Sequence, residues 1–117
     1  MMIKTSKTVY DARSHNDGSR ILVMRLWPRG VRKDAVDEWF KELGTSLSLI
    51  KEWKGGIIQW AAFKKQFLTE MEAKEKMGLI QSLADRSKKG TITLLCSCKD
   101  ESRCHRSILK GLIEELS

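Results

Sequence analysis

The sequence predicts an α/β domain: a small, mainly parallel sheet of about three strands with flanking helices. Three observations carry this. Residues 20–26 (R-I-L-V-M-R-L) and 91–96 (T-I-T-L-L-C) are short apolar runs bounded by Gly or Pro, the pattern of strands buried on both faces. The stretch between them is dominated by helical periodicity. A long helical crossover between two buried strands makes them parallel.

Taken in order, residues 3–9 read as a short first strand and residues 20–26 as a second, closed by the turn Trp27-Pro28-Arg29-Gly30. Val36, Trp39, Phe40 and Leu43 follow i, i+3, i+4, i+7 spacing with Asp34 as N-cap, so a helix is expected there, stopped by Gly44. Ser46 caps a short helix carrying Leu49, Ile50 and Trp53, which Gly55-Gly56 ends. Trp60, Phe63, Phe67 and Met71 mark the apolar face of the next helix, and Ile80, Leu83 and Ala84 a continuation, with Gly78 as the expected break. Gly90 precedes the strand at 91–96. A last helix is expected from about residue 103 to 116, with Ile108, Leu109, Leu112, Ile113 and Leu116 as its stripe. Trp39 and Trp60 fall on apolar helix faces and are assigned to the core, and the role of Trp27 is open.

At 117 residues the chain is expected to be a single domain, 1–117. Its 41% hydrophobic and 32% charged residues exclude a disordered chain. No apolar run reaches the roughly 18 residues that span a bilayer, and the N-terminus lacks a signal-peptide pattern, so a cytosolic protein is expected. An odd count of three cysteines in a reducing compartment points to thiols or metal ligands rather than disulfides. The net charge of +7 favours anionic partners, whether nucleic acid, nucleotide or small anion.

Two loops leave the carboxyl ends of the buried strands, where ligands bind in parallel sheets. Residues 25–33 carry Arg25, Arg29, Arg32 and Lys33 ahead of the helix expected at Asp34, a candidate anion site. Residues 96–106 (C-S-C-K-D-E-S-R-C-H-R) hold all three cysteines and His105. Helical spacing puts Cys104 and His105 on the stripe of Ile108, Leu109 and Leu112, facing back toward Cys96 and Cys98, while Arg103 and Arg106 point to the helix rim. Three readings remain open for this cluster. The thiols and His105 can be packing groups, the reading favoured at this point. Cys96, Cys98, Cys104 and His105 can form a zinc site, although their spacings are not the usual ones. Or one thiol, Cys98 first, is a nucleophile activated by a helix start and arginines.

The strings R-I-L-V-M-R-L-W-P-R-G-V (20–31), W-F-K-E-L-G-T-S (39–46), W-A-A-F-K-K-Q-F (60–67) and T-L-L-C-S-C-K-D-E-S-R-C-H-R-S-I-L (93–109) resemble the YeaO-like proteins of domain-of-unknown-function family 488 over nearly the whole length. The resemblance implies a small cytosolic α/β domain and brings no established activity. Two departures matter. The family pattern D-R-L-W-P-R-G has an acid where this chain has Met24. Close relatives often carry Asn-His where this chain has Cys104-His105, which makes His105 the better carry-over.

Two functions follow as expectations. The first is an uncharacterised domain that binds or acts on a phosphorylated or nucleotide-like small molecule, with His105 and Cys98 as candidate catalytic residues and Arg25, Arg29, Arg32 and Arg106 as anion ligands. The alternative is a basic nucleic-acid or partner-binding module without catalysis, resting on Lys4, Lys7, Arg13, Lys64, Lys65, Lys88 and Lys89. Whether the chain is an enzyme, and its oligomeric state, stay open at this level.

Overall fold

A computed structural model describes residues 2–5, 7–98 and 100–116. Four strands, one more than expected, form a single parallel sheet: β1 (Met2–Lys4), β2 (Ser19–Leu22), β3 (Glu38–Trp39) and β4 (Thr91–Leu95), in the order β1-β4-β2-β3. The helices are α1 (Leu47–Lys54), α2 (Trp60–Glu70), α3 (Lys74–Lys89) and α4 (His105–Leu116). The first strand is shorter than expected, and Ser6 within the expected span lies outside the described residues. Val9 nevertheless rejoins the sheet, its N–H donating to the Cys96 carbonyl at 3.0 Å. No helix is long and apolar enough to cross a membrane among the described residues.

The two central strands are buried as their composition demands. Ile21, Val23, Ile92 and Leu94 face a core built with Leu49 of α1, Phe63 and Phe67 of α2, Ile80 and Leu83 of α3, and Ile108, Leu109 and Ile113 of α4. All four helices thus contribute to one cluster. Leu22 and Leu95 point to the opposite face, which loops cover with Val9, Trp27, Val31 and Val36. Ser46 caps α1 as expected, its Oγ accepting from the Leu49 N–H at 3.3 Å.

The helix expected at residues 36–43 does not form. Two single 3-10 turns, Lys33–Ala35 and Lys41–Leu43, flank strand β3 instead. The open edge of β2 offers backbone partners that an isolated amphipathic turn cannot match: Asp37 N–H donates to the Arg20 carbonyl at 2.8 Å and Phe40 N–H to the Leu22 carbonyl at 2.9 Å. Trp39 is consequently no core residue. It is 40% exposed, its indole N–H donates to the Met24 carbonyl at 2.7 Å, and its ring packs edge-on against Trp27 at 5.4 Å. Gly78 breaks nothing, since α3 runs through it; the interruption falls between Glu70 and Lys74.

The loop-covered face hides an ion pair. Arg20, on the same side of β2 as Leu22, and Asp17 are both fully buried, with Nη1 2.8 Å from Oδ2. Arg20 also donates from Nε to the Ala35 carbonyl (2.8 Å) and from Nη2 to the Asp11 carbonyl (3.0 Å). Lys7 and the Ser14 N–H also donate to Oδ2, while the buried Oδ1 has no partner among the described residues. Next to this pair, Gly18 enters β2 at φ +64°, and an added Cβ would stand 2.0 Å from the Thr91 carbonyl oxygen. Gly18→Ala is therefore expected to cost at least about 1–3 kcal/mol from the left-handed backbone alone. Chemical denaturation checks this, and an unchanged midpoint would refute it.

Candidate functional site

The chain leaves β2 through Val23, Met24 and Arg25, and β4 through Cys96, Ser97 and Cys98. Because these strands are adjacent and parallel, both exits open on the same end of the sheet. A cavity of about 200 Å³ lies there, roofed by α1 and the start of α2. Cys96, Cys98 and His105 form its floor, Ile50, Trp53 and Phe63 its apolar wall, and Arg25, Lys54 and Arg103 its cations. Among the described residues no carboxylate lines it.

The floor is a compact donor cluster. The Sγ atoms of Cys96 and Cys98 are 3.6 Å apart, and His105 Nδ1 lies 4.0 Å from Cys96 Sγ and 3.8 Å from Cys104 Sγ. The donor atoms of Cys96, Cys104 and His105 all fall within 4.8 Å of one another, so this cluster could hold a metal ion. The histidine is oriented for it. Its Nε2 contacts the Val23 carbonyl, and a carbonyl only accepts, so Nε2 carries the hydrogen and Nδ1 presents its lone pair to the sulfurs. Phe67 packs edge-on against the ring at 5.4 Å and holds it there.

Electrostatics agree with the geometry. Burial lowers the His105 pKa against the pull of the Val23 bond, which keeps the ring neutral. Three thiols this close cannot all ionise. Hydrogen bonds from Cys104 and then Cys98 hold the Cys96 thiol below its ordinary range, burial opposing and Arg106 assisting. Cys104 is pushed up by its bonds to Cys96 and Cys98 and by burial. Cys98 is raised too: its bond to Cys104 pulls down but is outweighed by Cys96 and burial.

Arg106 is the main surprise. It does not reach the helix rim; it is 1% exposed, and its Nη1 donates to the Cys98 carbonyl at 3.0 Å. Its Nε has no acceptor, and among the described residues no carboxylate pairs with it. Arg103, also assigned to the rim, instead lines the cavity.

The four expected anion ligands are not brought together. Arg25 lines the cavity, with its Nε buried and without an acceptor. Arg106 lies behind the floor. Arg29 is exposed on the outer loop, and Arg32 lines a separate open groove with Arg13 and Arg20. The helix start that was to support them is absent. Lys54, Trp53 and Thr45 escaped sequence reasoning, since only the packing of α1 over the strand ends brings them here. Lys99, in the cysteine loop, lies outside the described residues. Met24 lines the cavity where the family pattern has an acid.

Residues 3–117 match the family model DUF488-N3a, described as the active DUF488-N3 subclade. The chain belongs to this family. The DUF488-N3a chain is 42% identical over 112 residues to "Uncharacterized protein YeaO" of Escherichia coli (strain K12), covering 94% of this chain and 96% of that one. It is 27% identical over 107 residues to "Uncharacterized protein Mb3100c" of Mycobacterium bovis, covering 90% and 88%. No solved structure matches at a significant level.

Proposed function

We propose that the cavity binds or acts on a small phosphorylated or nucleotide-like anion above a zinc ion held by Cys96, Cys98, Cys104 and His105. The observation that carries this is the grouping of the Cys96, Cys104 and His105 donor atoms within 4.8 Å of one another, with Cys98 Sγ 3.6 Å from Cys96 Sγ, beside a cavity at the strand ends that Arg25, Lys54 and Arg103 also line. With zinc–sulfur bonds near 2.3 Å and zinc–nitrogen bonds near 2.0–2.1 Å, a tetrahedron has edges of about 3.5–3.8 Å. The contacts of 3.6, 3.8 and 4.0 Å lie close to those edges. The Val23 carbonyl fixes the histidine tautomer as outer partners of zinc histidines do. Arg106 supplies the buried positive charge that a zinc with three thiolates, itself singly negative, requires. The reduced thiols of a cytosolic protein suit this role. The family description as an active subclade favours chemistry over packing.

Protein expressed without added metal should carry about one zinc per chain, and chelation should lower its melting temperature. Inorganic phosphate, sugar phosphates and nucleotides should then be screened by thermal shift. Stabilisation is expected in the wild type and in Arg29→Ala, and its loss in Arg25→Ala. No stabilisation by any of these anions, or full stabilisation in Arg25→Ala, overturns the ligand reading.

The basic nucleic-acid module has less support. Lys4 donates to the Asn16 carbonyl, Lys7 bridges to Asp17 and Arg13 pairs with Asp37, while Lys64, Lys65, Lys88 and Lys89 sit on α2 and α3. Gel shifts with DNA and RNA at two salt concentrations test it, because phosphate-driven binding must fall with salt.

A further inference from the structure

Cys98 differs from the other donors in where it sits. Cys96 directly follows β4, and Cys104 directly precedes α4, whose first residue is His105. These three residues are buried and their donor atoms form the compact set. Cys98 is half-buried, lies on the loop between β4 and α4 and stands outside that compact set, and it lines the cavity together with Cys96 and His105. Three donors anchored at the ends of rigid elements, with the remaining position turned to a ligand cavity, is the arrangement of catalytic rather than structural zinc.

We infer that Cys98 is an exchangeable fourth ligand, displaced from the metal by an anion entering the cavity. This rests on the zinc reading above. In the exchange the zinc–sulfur bond to Cys98 breaks as a bond from zinc to the anion forms. The freed thiolate takes a proton from solvent, and no electron changes hands. Charge explains why the incomer is an anion. With Cys98 bound the centre is singly negative and the buried, otherwise unpaired Arg106 balances it; a monovalent anion in the place of the thiolate leaves that balance intact. Arg25 offers the incomer a positive charge at the same cavity, which it lines. The mouth is open to a ligand with an apolar part: Leu26 and Leu47 on its rim are 61% and 49% exposed.

Cobalt(II) in place of zinc tests the inference, because its sulfur charge-transfer band reports the number of bound thiolates. Azide is the probe. In the cobalt-loaded wild type, saturating azide should lower the band by about a third, as one of three thiolates leaves. Cys98→Ala should still hold one metal per chain and show the lowered band before azide is added, whereas Cys96→Ala should lose the metal. A folded Cys98→Ala that loses metal as completely as Cys96→Ala overturns the inference. So does a wild-type band that saturating azide leaves unchanged. A wild type that takes up neither zinc nor cobalt overturns the zinc reading itself and with it this one.

Discussion

Asp17→Ala should destabilise the protein by about 3–5 kcal/mol, because it leaves the buried Arg20 guanidinium without its counter-charge. Both side chains are fully buried, so solvent cannot take over the role of the lost carboxylate. Arg20 would keep its bonds to the Ala35 and Asp11 carbonyls, which satisfy its geometry but not its charge. The damage would also spread, since Lys7 and the Ser14 N–H lose the acceptor that ties the 7–17 loop down. Replacing both partners by apolar residues of similar volume should cost much less than either single change. Equilibrium denaturation of the two single variants and the double variant measures this; additive losses would refute it.

The same carboxylate governs behaviour in acid. Burial pushes the Asp17 pKa up, but the Ser14, Lys7 and Arg20 hydrogen bonds more than reverse this and hold it well below the usual range. Asp37 is shifted the same way, first by Arg13. A carboxyl depressed in the folded state binds protons more readily when unfolded. Its contribution is therefore complete above the unfolded value of about 3.9 and is lost as pH falls below it. The melting temperature should drop between about pH 5 and pH 2, and Asp17→Asn should flatten that slope.

The second large effect is expected at Arg106, with opposite signs in the two metal states. Without metal, Arg106 is a buried cation whose nearby negative partner is the Cys96 thiolate, and that thiol can take up a proton when the charge is removed, so Arg106→Met should leave the metal-free protein as stable as before or more so, by up to about 4 kcal/mol. With zinc bound, the same change removes the charge that balances the thiolates and the bond that holds the Cys98 carbonyl. Zinc affinity should then fall by about 10–100-fold. Thermal denaturation of the metal-free protein and a competition titration with a chromogenic chelator read the two signs. Equal destabilisation in both states would mean that Arg106 serves packing alone.

Much of the fold was legible because its signals are local. The runs at Ile21–Val23 and Ile92–Leu95 had to be buried strands, Ser46 had the right neighbours to cap α1, and the stripe on α4 had one face to bury. Residues 36–43 were misread for a reason of the same kind. Their spacing fits an amphipathic helix, but β3 forms by pairing with the edge of β2, a partner distant in the chain. Gly78 was overvalued as a breaker, since a single glycine costs a helix only about 1 kcal/mol.

The site divides along the same line. The sequence by itself determined the donors: Cys96 at a strand end, and Cys104 and His105 in the first turn of a helix whose periodicity turns them back toward that end. It could not determine their distances, because a two-residue step from Cys96 to Cys98 and a six-residue step to Cys104 permit many arrangements. Tertiary structure alone decided that Val23, just past the end of β2, would supply the carbonyl that orients His105. It alone decided that Arg25 would join the cysteines while Arg29 and Arg32 would not. Arg106 shows the limit most clearly. Helical phase placed it off the α4 stripe, at the helix rim, yet it is buried and donates to the Cys98 carbonyl beside the thiols. Periodicity reports which face of a helix meets the sheet, whereas burial of the other faces depends on loops whose path is set by long-range contacts.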